Sequence, residues 1–100
     1  MKALLSKQVG GPETPVLEEV ADPVAGPGQI LVSVKACSVN YPDVLMIEDK
    51  YQVKPPRPFS PGSEVSGIVE AVGEGVTQFK VGDRVLGAAN GGMAEKVVLN

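Results

Sequence analysis

The side chains that could take part in a chemical reaction are few, and most of them lie between residues 37 and 51. Asn40 offers an amide that can donate a hydrogen bond, Tyr41 and Tyr51 offer phenolic hydroxyls, and Cys37 is the single thiol. The chain has no histidine, which excludes a Ser-His-Asp or Cys-His arrangement within these residues. One cysteine without histidine also excludes a zinc site built from the usual ligands. Proton transfer would therefore depend on carboxylates, tyrosines or lysines.

Each of these residues also has a structural interpretation, which the sequence leaves open. Asparagine is a good helix N-cap, so Asn40 is either a cap alone or a cap that also reaches a binding site. Tyr51 suits a partly apolar cleft because its ring is amphipathic, and a surface position is the alternative. Tyr41 is either a substrate contact or a structural residue, and Cys37, in an apolar run, is expected to be an inert thiol. Arg57 could meet an anionic substrate, but we expect it to be solvated.

Short strands and one helix must position these residues. The patterning predicts a helix over residues 41–49 and strands over residues 1–7, 16–20, 30–39, 63–72, 84–88 and 93–99. Pro42 and Asp43 suit the first turn of the helix. Gly67 lies inside a predicted strand, which indicates a bulge or a close backbone approach. Strands this short, separated by glycine and proline, are typical of one mainly β domain, a small barrel or sandwich.

The composition narrows the class of protein. One hundred residues suit one domain and are too few for a dinucleotide-binding domain and a substrate domain together. The net charge of −3 without a basic block disfavours a nucleic-acid partner, and no apolar run is long enough to cross a membrane. A single cysteine is typical of the cytoplasm. Residues 73–75 read Gly-Glu-Gly, but no third glycine or helix follows, so we expect a hairpin turn rather than a phosphate-binding loop.

Three motifs taken together identify a family. They are the stretch from Val34 to Asp43 (VKACSVNYPD), the turn Pro61-Gly62-Ser63-Glu64, and the segment from Val81 to Val85 (VGDRV). In this order and spacing, they resemble the N-terminal GroES-like domain of the medium-chain dehydrogenase/reductase superfamily. The resemblance covers essentially the whole chain, and the branch that it is most similar to is the zinc-free quinone oxidoreductases.

The differences from the zinc-dependent branch are informative. Where the zinc enzymes carry a cysteine this chain has Asn40, and where they carry a histidine it has Ser63. An amide and a hydroxyl do not replace thiolate and imidazole as zinc ligands, so the resemblance implies no zinc. Asp43 and Glu64 are similar to carboxylates that support the metal site in the zinc branch. Without the metal, we expect them to have a packing or hydrogen-bonding role.

The resemblance implies a fold and an activity. Residues 1–100 would form a GroES-like, partly open β-barrel with one or two short helices, and family members place a Rossmann nucleotide-binding domain after this region. The activity would be hydride transfer from NADPH to a quinone or enone, with NADPH bound mainly by that second domain. The complete enzyme is expected to be a cytoplasmic homodimer. Residues 1–100 alone are expected to be inactive.

The resemblance also assigns roles to four residues. Asn40 and Tyr51 would donate hydrogen bonds to the oxygen that gains charge during hydride transfer, and Asn40 would also contact the cofactor. Tyr41 and Leu45 would contact substrate. Leu45 stands where some members have a tyrosine, which predicts a more apolar cleft here.

Two other classes of protein remain as alternatives. A free-standing co-chaperonin has a similar barrel and length, but its glycine-rich mobile loop is not visible in this sequence. A stand-alone module that binds a small molecule or a partner is the second alternative.

Overall fold

The chain folds into short strands and one helix. The computed structural model describes residues 1–100. In chain order the elements are β1 (Lys2–Leu5), β2 (Val16–Glu19), β3 (Ile30–Cys37), α1 (Tyr41–Ile47), β4 (Glu64–Val72), β5 (Arg84–Ala88) and β6 (Lys96–Leu99). The expected mainly β fold with a short helix is confirmed. Helix α1 has seven residues, and no helix is of a length and apolarity that would let it cross a bilayer.

Two antiparallel sheets form the fold. The larger has the strand order β5-β4-β3-β6, and the smaller pairs β1 with β2. The register places Ile30 opposite Val72 of β4 on one side and Leu99 of β6 on the other. Strand β3 is therefore the central element, and it delivers the chain directly to the start of helix α1.

The two sheets are joined by the segment that precedes β6. The N–H of Leu4 donates to the carbonyl of Met93 at 2.9 Å, and the N–H of Glu95 donates to the carbonyl of Lys2 at 3.0 Å. Residues 93–95 therefore pair with β1, and the chain changes partner at Glu95, whose carbonyl accepts the N–H of Val34 in β3 at 2.8 Å. This change of partner explains why β6 begins later than the predicted strand over 93–99, and it curves the sheets into a partly open barrel.

The core is formed by the apolar residues that alternate along the strands and face inward. Val32, Val69 and Val97 are buried on neighbouring strands, and Ile30 and Leu99 extend the cluster. Strands β4 and β6 and the first half of β3 alternate buried and more exposed residues, which is the pattern of a sheet with one face against the core.

Gly67 permits the close contact between β3 and β4. A Cβ atom at this position would collide with the backbone carbonyl oxygen of Ser33 and the side chain of Val32. The register of β3 against β4 shifts at the same point, between Val34 and Ala36. Both the bulge and the close approach predicted for Gly67 are therefore present.

Candidate active site

The N-terminus of helix α1 is built by local hydrogen bonds. Asn40 has an extended backbone (φ −128°, ψ 163°), and Pro42 lies in the first turn, where its missing N–H is not needed. The Oδ2 atom of Asp43 accepts the Asn40 backbone N–H at 2.9 Å, and the Asp43 N–H donates to the Asn40 carbonyl oxygen at 3.0 Å. The Asp43 charge also faces the positive end of the helix dipole.

Asp43 also connects the helix to the turn before β4. Its second oxygen, Oδ1, accepts the backbone N–H of Gly62 at 3.2 Å, and the residue is only 4% exposed. Gly62 has φ +106°, and a Cβ atom there would lie 2.7 Å from Cys37 Sγ and 2.8 Å from the Met93 nitrogen. Only glycine fits this position, and Asp43 has the hydrogen-bonding role predicted for it.

The Asn40 side chain belongs to a polar cluster at the surface. Its Nδ2 atom donates to Ser38 Oγ at 2.9 Å and to Glu64 Oε1 at 3.4 Å, and Ser38 Oγ donates to the same Glu64 oxygen at 3.1 Å. The Asn40 side chain makes no capping hydrogen bond of its own, so the bond that closes this end of the helix is the one from the Asn40 N–H to Asp43. Asn40 is thus the N-cap by position, while its amide points to Ser38 and Glu64.

The other three predicted site residues lie along the helix and just after it. Leu45 and Tyr51 are half-buried, and the Tyr51 hydroxyl forms no hydrogen bond within the chain. Tyr41 is 73% exposed, so a packing role within this chain, the structural alternative, is not supported. Asn40 and Tyr51 flank opposite ends of a helix about 10 Å long, and no hydrogen bond joins them.

The interpretation of Arg57 as a solvated side chain is wrong. Its side chain is only 18% exposed and forms an ion pair with Asp49, with Nη1 2.8 Å from Oδ1. Nη2 donates to the Ile47 carbonyl at 2.9 Å, and the guanidinium lies 5.2 Å from the ring centre of Phe59. Sequence patterning missed this because Asp49 and Ile47 lie eight and ten residues earlier in the chain, across a loop. A signal existed: helix α1 has no basic residue in its last turn, where a cation is favourable.

One cavity, with a volume of about 610 Å³ and a mostly apolar lining, lies between β1, β6 and the proline-rich loop (residues 53–61). Asp43, Met46 and Ser63 line it, together with Val53 and Phe59 from the proline-rich loop and its end. Asn40, Tyr41, Leu45 and Tyr51 do not line it. The helix therefore presents Met46 to this cavity, and Ser63 is a polar lining residue to which the sequence analysis assigned no binding role.

The thiol of Cys37 lies beside the turn that Asp43 holds. Burial raises the pKa of Cys37, and the nearby Asp43 charge raises it further, since both disfavour a thiolate. A neutral thiol is a poor nucleophile and a poor metal ligand. This agrees with the prediction of an inert cysteine.

The residues present do not form a phosphate or metal site. No group of three His, Cys, Asp or Glu side chains lies together in a way that could hold a metal ion. The Gly73-to-Gly75 segment lies in the connection between two strands, β4 and β5, with no helix behind it. The N–H of Asp43, in the first turn of α1, is already bonded.

Comparison with known proteins adds an independent observation. The sequence profile of the family described as "Alcohol dehydrogenase GroES-like domain" matches residues 26–100. The quinone oxidoreductase of Lama guanicoe is 43% identical over 98 residues, which is 95% of this chain and 30% of that protein. The chain thus spans about a third of the length of the curated relatives that it matches.

Solved structures match the whole fold. A probable oxidoreductase from Mycobacterium abscessus has a TM-score of 0.89 and 43% identity, covering 99% of this chain and 32% of that one. A mycobacterial protein solved in complex with NADPH has a TM-score of 0.90 and 38% identity, covering 99% of this chain and 31% of that one. The polar cluster at Asn40 and the bridge made by Asp43 therefore occur in a fold shared with oxidoreductases.

Proposed function

We propose that this chain, which belongs to the alcohol dehydrogenase GroES-like domain family, is the substrate-side domain of a zinc-independent, NADPH-dependent quinone or enone reductase. The rest of such an enzyme would include the Rossmann domain that binds most of the cofactor. The names of the relatives support the quinone as substrate class, and the neighbour bound to NADPH supports the cofactor.

The observation that carries this proposal is the bridge from Asp43 to Gly62. It holds the segment with Asn40 against the segment with Ser63, although the two are separated by more than twenty residues. These are the positions at which this chain differs from the zinc-dependent branch of the superfamily, which has a cysteine and a histidine there. An amide and a hydroxyl occupy these two positions instead, which supports polarisation of the substrate by hydrogen bonds rather than by a metal ion.

The chemistry assigned to these residues follows the movement of charge. The hydride for the electrophilic carbon of the quinone or enone would come from NADPH, held mainly by the second domain. The substrate carbonyl oxygen then carries negative charge and needs a hydrogen-bond donor and finally a proton. Tyr51 has a free hydroxyl for this purpose, and Asn40 can redirect its amide from the long, exposed 3.4 Å contact with Glu64. Asn40 would also contact the nicotinamide, while Tyr41 and Leu45 would contact substrate.

We further propose that the complete enzyme is a cytoplasmic homodimer without a nucleic-acid or membrane partner. The alternative is a stand-alone GroES-like module, a co-chaperonin-type ring or a binding domain. The exposed apolar side chains of Leu17 and Leu86 would also suit a surface of such a module. Size-exclusion chromatography with light scattering distinguishes a dimer of a long chain from a seven-membered ring of a short one.

The deciding experiment is an assay of the complete enzyme. We expect it to oxidise NADPH in the presence of quinones or enones and to retain that activity after dialysis against a chelator. Residues 1–100 alone should show no turnover. Failure of the complete, folded enzyme to oxidise NADPH with any quinone or enone acceptor would favour the binding module.

A further inference from the structure

We propose that Arg57 is a positioning residue for Tyr51: it holds the two ends of the segment 49–57 together and so fixes where the Tyr51 hydroxyl lies. The inference rests on the proposed function, because it assumes that Tyr51 donates to the substrate.

The segment starts at an unusual helix end. Lys50 N–H donates to the Leu45 carbonyl at 2.8 Å and Asp49 N–H donates to the Met46 carbonyl at 3.2 Å, which is the Schellman pattern. The residue that must take the left-handed conformation in this pattern is Asp49, with φ +58°, instead of the usual glycine. An aspartate can hold this conformation when its carboxylate has a partner, and Arg57 is that partner.

The Arg57 guanidinium donates hydrogen bonds to several groups around the C-terminus of helix α1. Besides the Asp49 carboxylate, its guanidinium donates to the carbonyls of Ile47 at 2.9 Å and Met46 at 3.4 Å, and Nε donates to Ser6 Oγ at 3.2 Å. Neither carbonyl has the usual helical partner four residues later: Met46 also accepts the Asp49 N–H, and Ile47 also accepts the Gly10 N–H at 3.1 Å. A planar guanidinium can serve all of these acceptors, whereas a lysine ammonium offers a different geometry. One side chain therefore joins the helix, the loop and the end of β1.

Nothing else in the backbone fixes the intervening residues. No backbone hydrogen bond involves residues 51–58, and Pro55 and Pro56 lack N–H donors. Tyr51 lies two residues after Asp49, and its hydroxyl has no partner within the chain. The position of that hydroxyl consequently depends on the closure of the loop by Asp49 and Arg57.

The test is a double-mutant cycle in the complete enzyme with Arg57→Met and Tyr51→Phe, measuring kcat and KM with NADPH and a quinone. If Arg57 acts through Tyr51, Arg57→Met lowers kcat/KM by about tenfold in the Tyr51 enzyme and by less than about twofold in the Tyr51→Phe enzyme. Arg57→Lys keeps the positive charge but not the planar guanidinium, so kcat/KM of this variant should be only partly restored relative to Arg57→Met. Lys54→Met, which removes a charge from the same loop at an exposed position without a hydrogen-bond partner, is the matched control and should leave kcat/KM unchanged.

The outcomes separate the two proposals. Equal effects of Arg57→Met in both backgrounds would overturn the positioning role, since a merely structural loss is additive. No effect of Tyr51→Phe by itself would instead refute the catalytic role of Tyr51 in the proposed function. If Arg57→Met fails to fold, Asp49→Asn replaces it in the cycle, because asparagine tolerates the left-handed conformation and removes only the ion pair. Additive behaviour of Asp49→Asn with Tyr51→Phe overturns the inference equally.

Discussion

The buried carboxylate of Asp43 joins Gly62 to the first turn of helix α1. One oxygen accepts the Asn40 N–H and the other accepts the Gly62 N–H, so a single side chain aligns two motifs that are distant in sequence. The carboxylate is almost fully buried without a cationic partner, and its two backbone donors are what satisfy it. The candidate site therefore depends on a residue that need not touch the substrate.

This relationship predicts the effect of Asp43→Asn on stability. The amide keeps one acceptor oxygen but turns an N–H₂ group towards the other backbone donor, leaving that donor unpaired. We expect the free energy of unfolding to fall by about 1–3 kcal/mol, the cost of an unsatisfied buried donor. Urea unfolding followed by circular dichroism measures the change. The control is Glu48→Gln, a similar change at the C-cap of helix α1, where the only ion pair of Glu48 is the 3.8 Å contact with Lys50. An Asp43→Asn midpoint equal to that of Glu48→Gln would contradict the bridging role.

The polar cluster around Asn40 determines how its role must be tested. Asn40→Ala should lower kcat/KM of the complete enzyme by about tenfold to a hundredfold, because a donor to the substrate oxygen is lost. Asn40→Asp removes the same donor and keeps a capping residue, but it places a second carboxylate against Glu64, 3.4 Å from the present amide. Repulsion between the two carboxylates would then disturb the site.

The informative comparison is therefore made in a Glu64→Gln background. There Asn40→Asp should lower kcat/KM as much as Asn40→Ala while the unfolding midpoint is retained. Glu64→Gln alone is the control and should change kcat/KM by less than about threefold, because Glu64 is exposed and its contacts are weak. If Asn40→Asp leaves turnover unchanged and Asn40→Ala lowers only the midpoint, Asn40 is a helix cap alone.

The sequence predicted most elements because their signals are local. Both ends of strand β5 were predicted correctly. The start of the helix was also predicted correctly, from Asn40, Pro42 and Asp43. The end of the helix and the role of Arg57 were missed, since Asp49 stands where patterning expects glycine and the compensating cation comes from a distant loop. The predicted start of β6 was three residues too early because residues 93–95 pair with β1. The alternation of apolar residues does not show which distant strand a segment will pair with.

Tyr51→Phe should separate catalysis from stability. The hydroxyl has no partner within the chain, so its removal should change the free energy of unfolding by less than about 0.5 kcal/mol. The value of kcat/KM should fall by about tenfold, mainly through kcat, because the hydrogen bond strengthens as charge develops on the substrate oxygen. Thr77→Val, which removes an exposed hydroxyl from a distant loop, is the control. Unchanged turnover with Tyr51→Phe would exclude the donor role.

Removal of metal should leave the proposed activity intact. Asn40 and Ser63 are not zinc ligands, and no cluster of metal-binding side chains exists in the structure. We expect the complete enzyme to retain its NADPH-oxidising activity after treatment with a strong chelator, and elemental analysis to find far less than one zinc per chain at this site. Stoichiometric zinc that is lost, together with activity, when Ser63 is replaced by Ala would contradict the zinc-independent mechanism.

Cys37 should be slow to react at neutral pH. Burial and the Asp43 charge raise its pKa in the folded protein, so folding favours the protonated thiol. The corresponding contribution to stability is fully present below the pKa of the thiol in the unfolded chain and is lost as pH rises through its higher pKa in the folded protein.

Iodoacetamide should therefore modify Cys37 more slowly than it modifies glutathione in the same reaction at about pH 7, and the rate of Cys37 modification should still be rising at about pH 9. Mass spectrometry of the tryptic peptide spanning residues 36–50 measures the rate at this cysteine alone. A rate at neutral pH equal to that of glutathione would show an activated thiol and would contradict the inert role.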